Sequence, residues 1–399
     1  MRIGMMADLY KPHVSGVTHY VSLNKKVLES RGHEVFVFTL GRLDYEDDEP
    51  NVLRSPGVSV GATGYSLGFR YTRAARRMLQ TMDVVHVHHP FLSGRLALAY
   101  CRPLGIPIVF THHTRYDLYA QVYFPILPDQ LGQAFLQSYM PSFCREVDLV
   151  IAPAPGLAAL LRQMGVEGDI EVIPNGVDLR PFRSGHPPIQ RSALGLQDDD
   201  VVLIFVGRLG LEKNLAFLLQ AVAGVQHAHP RVKLLLLGEG PERDNLEDLA
   251  RLSGVGDRVV FTGLVPYADI PRYLAAADVF VTASRTEVHP LSVIEALAAG
   301  RPVVGIDSPG VSDTIVDGEN GFVAEDDVAA FAAKLGQIVM DGVLRRRMGE
   351  AASRSAEAYD IERTSPQVEA RYRALVAERP HPRRGRLDRL WNRLMDRAT

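Results

Sequence analysis

The sequence predicts an α/β protein of two Rossmann-like domains facing each other across a deep cleft, and three observations carry that prediction. Short β-rich runs alternate with helical windows along the whole chain, the pattern of parallel sheets covered by helices. The alternation falls into two series of similar size. Between them, around "RPFRSGHPPIQRSALG", the composition turns to Pro, Gly, Ser and Arg, which marks a linker. The boundaries read as a first domain over 1–183, a linker over 184–196, a second domain over 197–360 and C-terminal helices over 361–399.

In the first series the strands are "RIGMMA", "EVFVFTL", "DVVHVHH", "PIVFTHH", "LVIAPA" and "IEVIPNG". Helix-like stretches lie between them, such as "GVTHYVSLNKKVLESRG", which ends on a glycine stop. The second series runs "VVLIFVG", "KLLLLGEG", "VVFTG", "VFVTAS", "RPVVGID" and "GFVA". In open sheets of this kind ligands sit at the carboxyl ends of the strands. The acidic run "YEDDE" reads as a solvated loop, and Asp198 to Asp200 as an acidic turn ahead of a strand.

At 399 residues the chain is long enough for two cores, and 46% hydrophobic with 23% charged residues is ordinary globular composition. A formal net charge of −3 gives no overall pull toward nucleic acid. Cys101 and Cys144 have no CxxC partner and read as inert thiols in a reducing compartment. The N-terminus lacks a signal peptide's apolar core, and no window approaches 18 uninterrupted apolar residues. These features predict a protein on the cytoplasmic side of the membrane.

The chemistry concentrates in "TEVHPLSVIEALAAG". Pro290 is expected in the first turn of a helix, with Glu287 in the loop before it and Glu295 about one and a half turns in. The backbone N–H groups of Pro290's neighbours Leu291 and Ser292 then form a positive terminus suited to a phosphate. In "FVGRLGLEKN", Arg208 and Lys213 place two cations at a strand's carboxyl end, where a departing diphosphate needs its charge neutralised. "LLGEGPERDNLE" repeats strand, glycine turn at Gly238 and a helix opened by Pro241; it is GxGP, so the dinucleotide fingerprint GxGxxG is absent. His86, His88, His89, His112 and His113 invite a zinc reading, yet no Cys or acid stands at ligand spacing, and the "HVH" alternation puts His86 and His88 on one sheet face among core residues. No metal and no cofactor are expected.

Taken in order, "PHVSGV", "HVHHP", "THHT", "IPNGVDLRPF", "VGRLGLEKN", "GEGPERDNLE", "FTGLVP" and "EVHPLSVIEALAAGRPVVG" resemble the retaining GT-B glycosyltransferases of family 4, over roughly residues 1 to 375. The resemblance implies a nucleotide-sugar donor held mainly by the second domain, an acceptor held by the first, and closure of the cleft. It places Glu287 near the transferring sugar, Glu295 on the ribose hydroxyls, Arg208 and Lys213 on the diphosphate, His113 facing the sugar and leaving phosphate, and Gly16 where backbone approaches the diphosphate. Two positions depart from the family pattern: Pro290 stands where a glycine is usual, and Ser15-Gly16 where Gly-Gly is common. The implied chemistry is a front-face transfer without a divalent metal, in which the leaving phosphate takes the acceptor's proton.

Two stretches bear on the acceptor. The C-terminal "RPHPRRGRLDRLWNRLMDRAT" sets Leu387, Leu390, Trp391, Leu394 and Met395 at i, i+3, i+4, i+7 and i+8 on a helix carrying Arg389 and Arg393, which suits an anionic membrane surface or packing on the protein. In "YSLGFRYTRAARRMLQ", Arg70, Arg73 and Arg77 share one face beside Phe69 and Tyr71, either a membrane contact or a solvated face. "THHTRYDLYAQVYFP" resembles the matching segment of diacylglycerol glucosyltransferases. The expected activity is transfer of a hexose, glucose from UDP-glucose, to a diacylglycerol-type lipid at the inner face of the cell membrane. Phosphatidylinositol, a polyprenyl-linked saccharide and a soluble sugar remain alternative acceptors. A sugar-nucleotide epimerase and a non-catalytic nucleotide-sugar sensor are the rival classes.

Overall fold

A computed structural model describes residues 1–13, 15–59, 66–68, 70–118, 129–183 and 185–378. The first domain carries β1 (Arg2–Met6), β2 (Glu34–Leu40), β3 (Val52–Ser55), the short antiparallel pair β4 (Val58–Ser59) and β5 (Ser66–Leu67), β6 (Val84–Val87), β7 (Ile108–Thr111), β8 (Leu149–Ala152) and β9 (Ile170–Val172). Its helices are α1 (Gly16–Ser30), α2 (Arg73–Leu79), α3 (Leu92–Tyr100), α4 (Asp129–Glu146) and α5 (Pro155–Gln163). Seven strands form one parallel sheet in the order β3-β2-β1-β6-β7-β8-β9.

The second domain opens with the short helix α6 (Arg180–Arg183). It then runs β10 (Val201–Val206), α7 (Leu215–Val225), β11 (Val232–Leu237), α8 (Arg243–Leu252), β12 (Val259–Gly263), α9 (Ile270–Ala276) and β13 (Val279–Thr282). It finishes with α10 (Leu291–Ala298), β14 (Val303–Ile306), β15 (Gly321–Ala324), α11 (Val328–Met340) and α12 (Gly342–Ser355). Six parallel strands lie in the order β12-β11-β10-β13-β14-β15. Strands covered by helices on both faces need apolar side chains on both, which is why "VVLIFV" and "VKLLLL" are nearly unbroken apolar runs. Each sheet separates two apolar clusters. Strand order reverses between β1 and β6 in the first sheet and between β10 and β13 in the second, so both domains open their crevices at those points.

The expected first domain ran to 183, but Val177, Leu179 and Phe182 pack into the second domain's cluster with Ile270, Phe280 and Ile294. The last described helix, α13 (Ile361–Glu378), does the opposite. Its Val368 and Tyr372 lie in the first domain's cluster with Ile3, Val84 and Val109, so the chain returns to the domain where it began. The two crossings are bonded side by side: Val177 N donates to Tyr359 O at 2.9 Å and Ile361 N to Val177 O at 3.0 Å. At Gly176 a Cβ would lie 2.9 Å from Ile361 Cα and collide with Thr364 Oγ1, so only glycine permits the approach.

The acidic run of the β2–β3 connection is not simply a solvated loop. Arg54 binds Asp47 through Nε at 2.9 Å, Lys11 binds Asp48 at 2.8 Å, and Tyr10 donates to Glu49 at 2.5 Å. Lys25, fully buried, lies 3.7 Å from Glu49 and 2.7 Å from Glu29. These acids brace the loop that follows β1, because buried or half-buried cations there need partners. Tyr71, read as part of a basic face, is 2% exposed and packs against Phe38 and Tyr100. Arg70, Arg73 and Arg77 are exposed, the latter two one turn apart on α2. Phe69, Arg389, Trp391 and Arg393 lie outside the described residues.

Candidate active site between the two sheets

The loop after β13 carries Glu287, and the fold fixes it by its neighbour. Val288 is 3% exposed and packs into the first domain's core, so this second-domain loop is pinned across the cleft. Gly310, at φ +85°, lets a second loop run against it: a Cβ there would lie 2.5 Å from the Val288 carbonyl carbon. Asn175 reaches from the chain after β9 to the His289 carbonyl at 3.4 Å. α10 begins at Leu291 with Pro290 on its cap rather than in its first turn. Ser292 and Leu291 are half-buried at the cleft.

Lys213 Nζ donates to Glu287 Oε1 at 2.5 Å, and the two side chains are 20% and 22% exposed. The sequence motifs 74 positions apart therefore meet. Arg208 is exposed, 3.9 Å from Glu212, and its charge, after burial, helps hold His13 below the ordinary histidine range. The loops after β10 and β11 lie backbone on backbone: Leu209 N donates to Glu239 O at 3.0 Å. Gly238, at φ +143°, faces the Gly207 carbonyl so closely that a Cβ would collide with it, which gives this glycine a local reason of its own. α8 begins at Arg243, two residues after the proline expected to open it.

Glu295 is 4% exposed and accepts from Tyr267 Oη at 2.8 Å. Burial pushes its carboxyl up to about 7, with the tyrosine hydrogen bond opposing. Across the cleft, the His19 ring of α1 lies 4.5 Å from the Tyr267 ring. Gly16 opens α1, whose cap Ser15 Oγ accepts from Thr18 N at 3.2 Å. A Cβ at Gly16 would lie 3.9 Å from Leu291 Cδ1, so the N-termini of α1 and α10 face each other. A third contact joins the domains where Asp313 Oδ2 accepts from Gly156 N at 3.0 Å and Gly310 N at 3.2 Å.

Strand alternation sends the two neighbouring histidines to opposite sides. His112 packs on Phe110 and Tyr116, whereas His113 turns to His88 Nδ1 at 3.0 Å and to the Tyr20 ring. His86 and His88 do share a face, with rings 4.3 Å apart. Both nitrogens of His86 are engaged, by Tyr372 and Thr111, and His89 Nδ1 accepts from Asp8 N. A groove of about 470 Å³ lies at the opposite, amino-terminal edge of the second sheet, between Asp278, Gly300, Arg345 and Arg346, away from this site. Sequence reasoning missed Tyr267, His19, Val288 and Asp313. Tyr267 directly follows the quoted stretch "FTGLVP", but nothing in its spacing pointed to Glu295.

The description "Glycosyltransferase Family 4" matches residues 14–180, and "Glycosyl transferases group 1" matches residues 188–355. The alpha-monoglucosyldiacylglycerol synthase of Streptococcus pneumoniae is 33% identical over 347 residues, covering 82% of this chain and 77% of that one. The synthase of the same name from Acholeplasma laidlawii is 31% identical over 337 residues, covering 81% and 84%. Among solved structures, sucrose-phosphate synthase from Thermosynechococcus elongatus superposes with a TM-score of 0.76 at 23% identity, covering 94% of this chain and 99% of that one. Anabaena HepE in complex with UDP-glucose superposes with a TM-score of 0.71 at 19% identity, covering 94% and 100%. Those two identities speak for the fold alone, which is GT-B. With both halves matched and a third of positions shared over four-fifths of its length, the chain belongs to the group 1, family 4 glycosyltransferases, enzymes that use nucleotide-sugar donors.

Proposed function

We propose that this enzyme moves a hexose, glucose from UDP-glucose, onto a membrane lipid of the diacylglycerol type, with retention of configuration. The observation that carries the reading is the likeness to two alpha-monoglucosyldiacylglycerol synthases over more than four-fifths of the chain. The site supports it chemically. Lys213 and Arg208, with the backbone N–H groups at Leu291 and Ser292, supply positive charge for a diphosphate. Glu287, held by Lys213, stands at the same corner as an acceptor for sugar hydroxyls. Glu295 takes the ribose, and Gly16 leaves room on the opposite wall. In the transfer the bond from sugar C1 to the diphosphate oxygen breaks, and the bond to the lipid oxygen forms on the same face. The lipid hydroxyl's proton passes to the departing phosphate, and Arg208 and Lys213 stand in for the positive charge a divalent metal would supply.

The lipid reaches the first domain from a membrane to which the enzyme binds peripherally, with Arg70, Arg73 and Arg77 exposed toward anionic headgroups. No helix among the described residues is long and apolar enough to cross a membrane. The test is incubation with a panel of labelled nucleotide sugars and a membrane lipid extract. UDP-glucose should give an α-linked glucosyl lipid cleaved from diacylglycerol by α-glucosidase; label in a soluble sugar or on phosphatidylinositol would overturn the acceptor assignment. Glu287→Ala and Lys213→Ala should each lower kcat by roughly 100-fold or more, the scale of removing one charge-stabilising contact. Near-normal rates in both would remove the site.

A further inference from the structure

Of the histidines gathered at the ends of β6 and β7, the resemblance to family 4 gives a role at the donor only to His113. Its Nε2 lies 3.0 Å from His88 Nδ1, and the two rings stack at 5.3 Å. His88 is fully buried, and its other nitrogen, Nε2, meets no hydrogen-bonding partner among the described residues. His86 lies behind it with both nitrogens taken, Nδ1 by the Tyr372 hydroxyl at 2.5 Å and Nε2 by Thr111 at 2.7 Å. Tyr20 of α1 covers His88 and His113 at 5.7 and 4.7 Å. Burial first, then the neighbouring imidazoles, keeps both rings well below the ordinary histidine range, so each is neutral at pH 7 and carries one N–H.

Only one of the two can donate in their contact. Were His113 the donor, the single N–H of His88 would sit on Nε2, a buried donor with nothing to accept it. With His88 as donor, its Nε2 is a bare acceptor, the less costly orphan. We infer that His88 is a positioning residue: its Nδ1–H donates to His113 Nε2 and fixes His113 as the Nδ1–H tautomer, leaving that ring a hydrogen-bond donor for an oxygen of the sugar nucleotide. This rests on the reading of His113 as a residue of the donor site and adds what sets its polarity.

Long-range ¹H–¹⁵N spectra of the wild-type enzyme should show His113 protonated on Nδ1; protonation on Nε2 overturns the inference without any variant. In His88→Ala the tautomer preference should be lost and kcat should fall roughly tenfold, about one hydrogen bond, with the donor KM little changed. Water admitted beside His113 should also raise its pKa, so that an acid limb enters the kcat profile. The titratable groups around it from α1 and the two strand ends are Tyr20, His86, His89 and His112. His88→Asn, whose amide can donate from the place of Nδ1, should restore part of kcat and the tautomer. Unchanged kcat and tautomer in His88→Ala, with His113→Ala impaired, would remove this inference alone. A His113→Ala enzyme at wild-type rate would remove the donor-site reading itself.

Discussion

Glu295 is a buried acid with a single hydroxyl partner among the described residues. Its carboxyl is 4% exposed and pushed up to about 7 by burial, with one hydroxyl, Tyr267 Oη, donated to it. Two ribose hydroxyls would favour the ionised form, so UDP should bind more tightly as pH rises through about 7. The folded-state value lies above the unfolded one, so ionisation destabilises the fold. That cost is absent below the unfolded carboxylate range near ~4.3, grows up to about pH 7 and is complete above it. Glu295→Gln should therefore gain on the order of 3 kcal/mol at pH 8 relative to the wild type and nothing at pH 4, by chemical denaturation. Its UDP affinity by calorimetry should be lower and flat with pH. An unchanged stability difference between pH 4 and 8 would mean that Glu295 is not held protonated.

Among the elements, α13 is tied to the first domain by a buried carboxylate. Glu369 accepts from Arg31 Nε at 2.5 Å, His33 Nε2 lies 2.9 Å away and Arg373 Nη2 donates at 2.6 Å. Burial raises its pKa, but the Arg31, His33 and Arg373 hydrogen bonds outweigh that and hold it at about 2. A depressed value means stability that is present above the unfolded carboxylate range and lost as pH falls toward about 2. Glu369→Gln should cost about 2 kcal/mol at pH 7, seen as an earlier first thermal transition, with the gap closing in acid. A gap that persists at pH 2.5 would assign the loss to packing. This helix also shows where the sequence stops being readable. Parallel strands were legible because burial on both faces demands unbroken apolar runs, and the placement of Lys213 and Glu287 in loops after strands because each follows such a run. Nothing local announces that Tyr372 will sit under His86, or that Tyr267 will face Glu295. Tyr71 beside three arginines looked like a surface aromatic, although the sheet below needed a ring at that point. The acids at 47–49 looked solvated because the cations they meet, Lys11 and Lys25, belong to distant positions.

For the molecule as a whole, the described residues show the cleft drawn shut by a few contacts of different kinds: Val288 in the first domain's core, His19 on Tyr267, and Asp313 capping α5 from the other domain. Asp313 belongs to neither core, so its removal leaves both intact. Asp313→Ala should favour the open form by roughly 1 to 2 kcal/mol, the worth of a charged acceptor on a helix N-terminus. Small-angle scattering should show a larger radius of gyration, and kcat should fall by up to about tenfold. A radius identical to that of the wild type would show that this contact does not hold the cleft.

The paired crossings at Val177 and Ile361 have a consequence for anyone dissecting the enzyme. A chain severed in the 184–196 segment would leave an N-terminal fragment lacking the ring that seats beneath His86 and the carboxylate that gathers Arg31 and His33. Its C-terminal counterpart would trail an amphipathic helix with no floor to lie on and would lack the short stretch through Phe182 that lines its own interior. Neither piece is a module; the two lobes are interlaced at their shared seam and have to be made as one polypeptide.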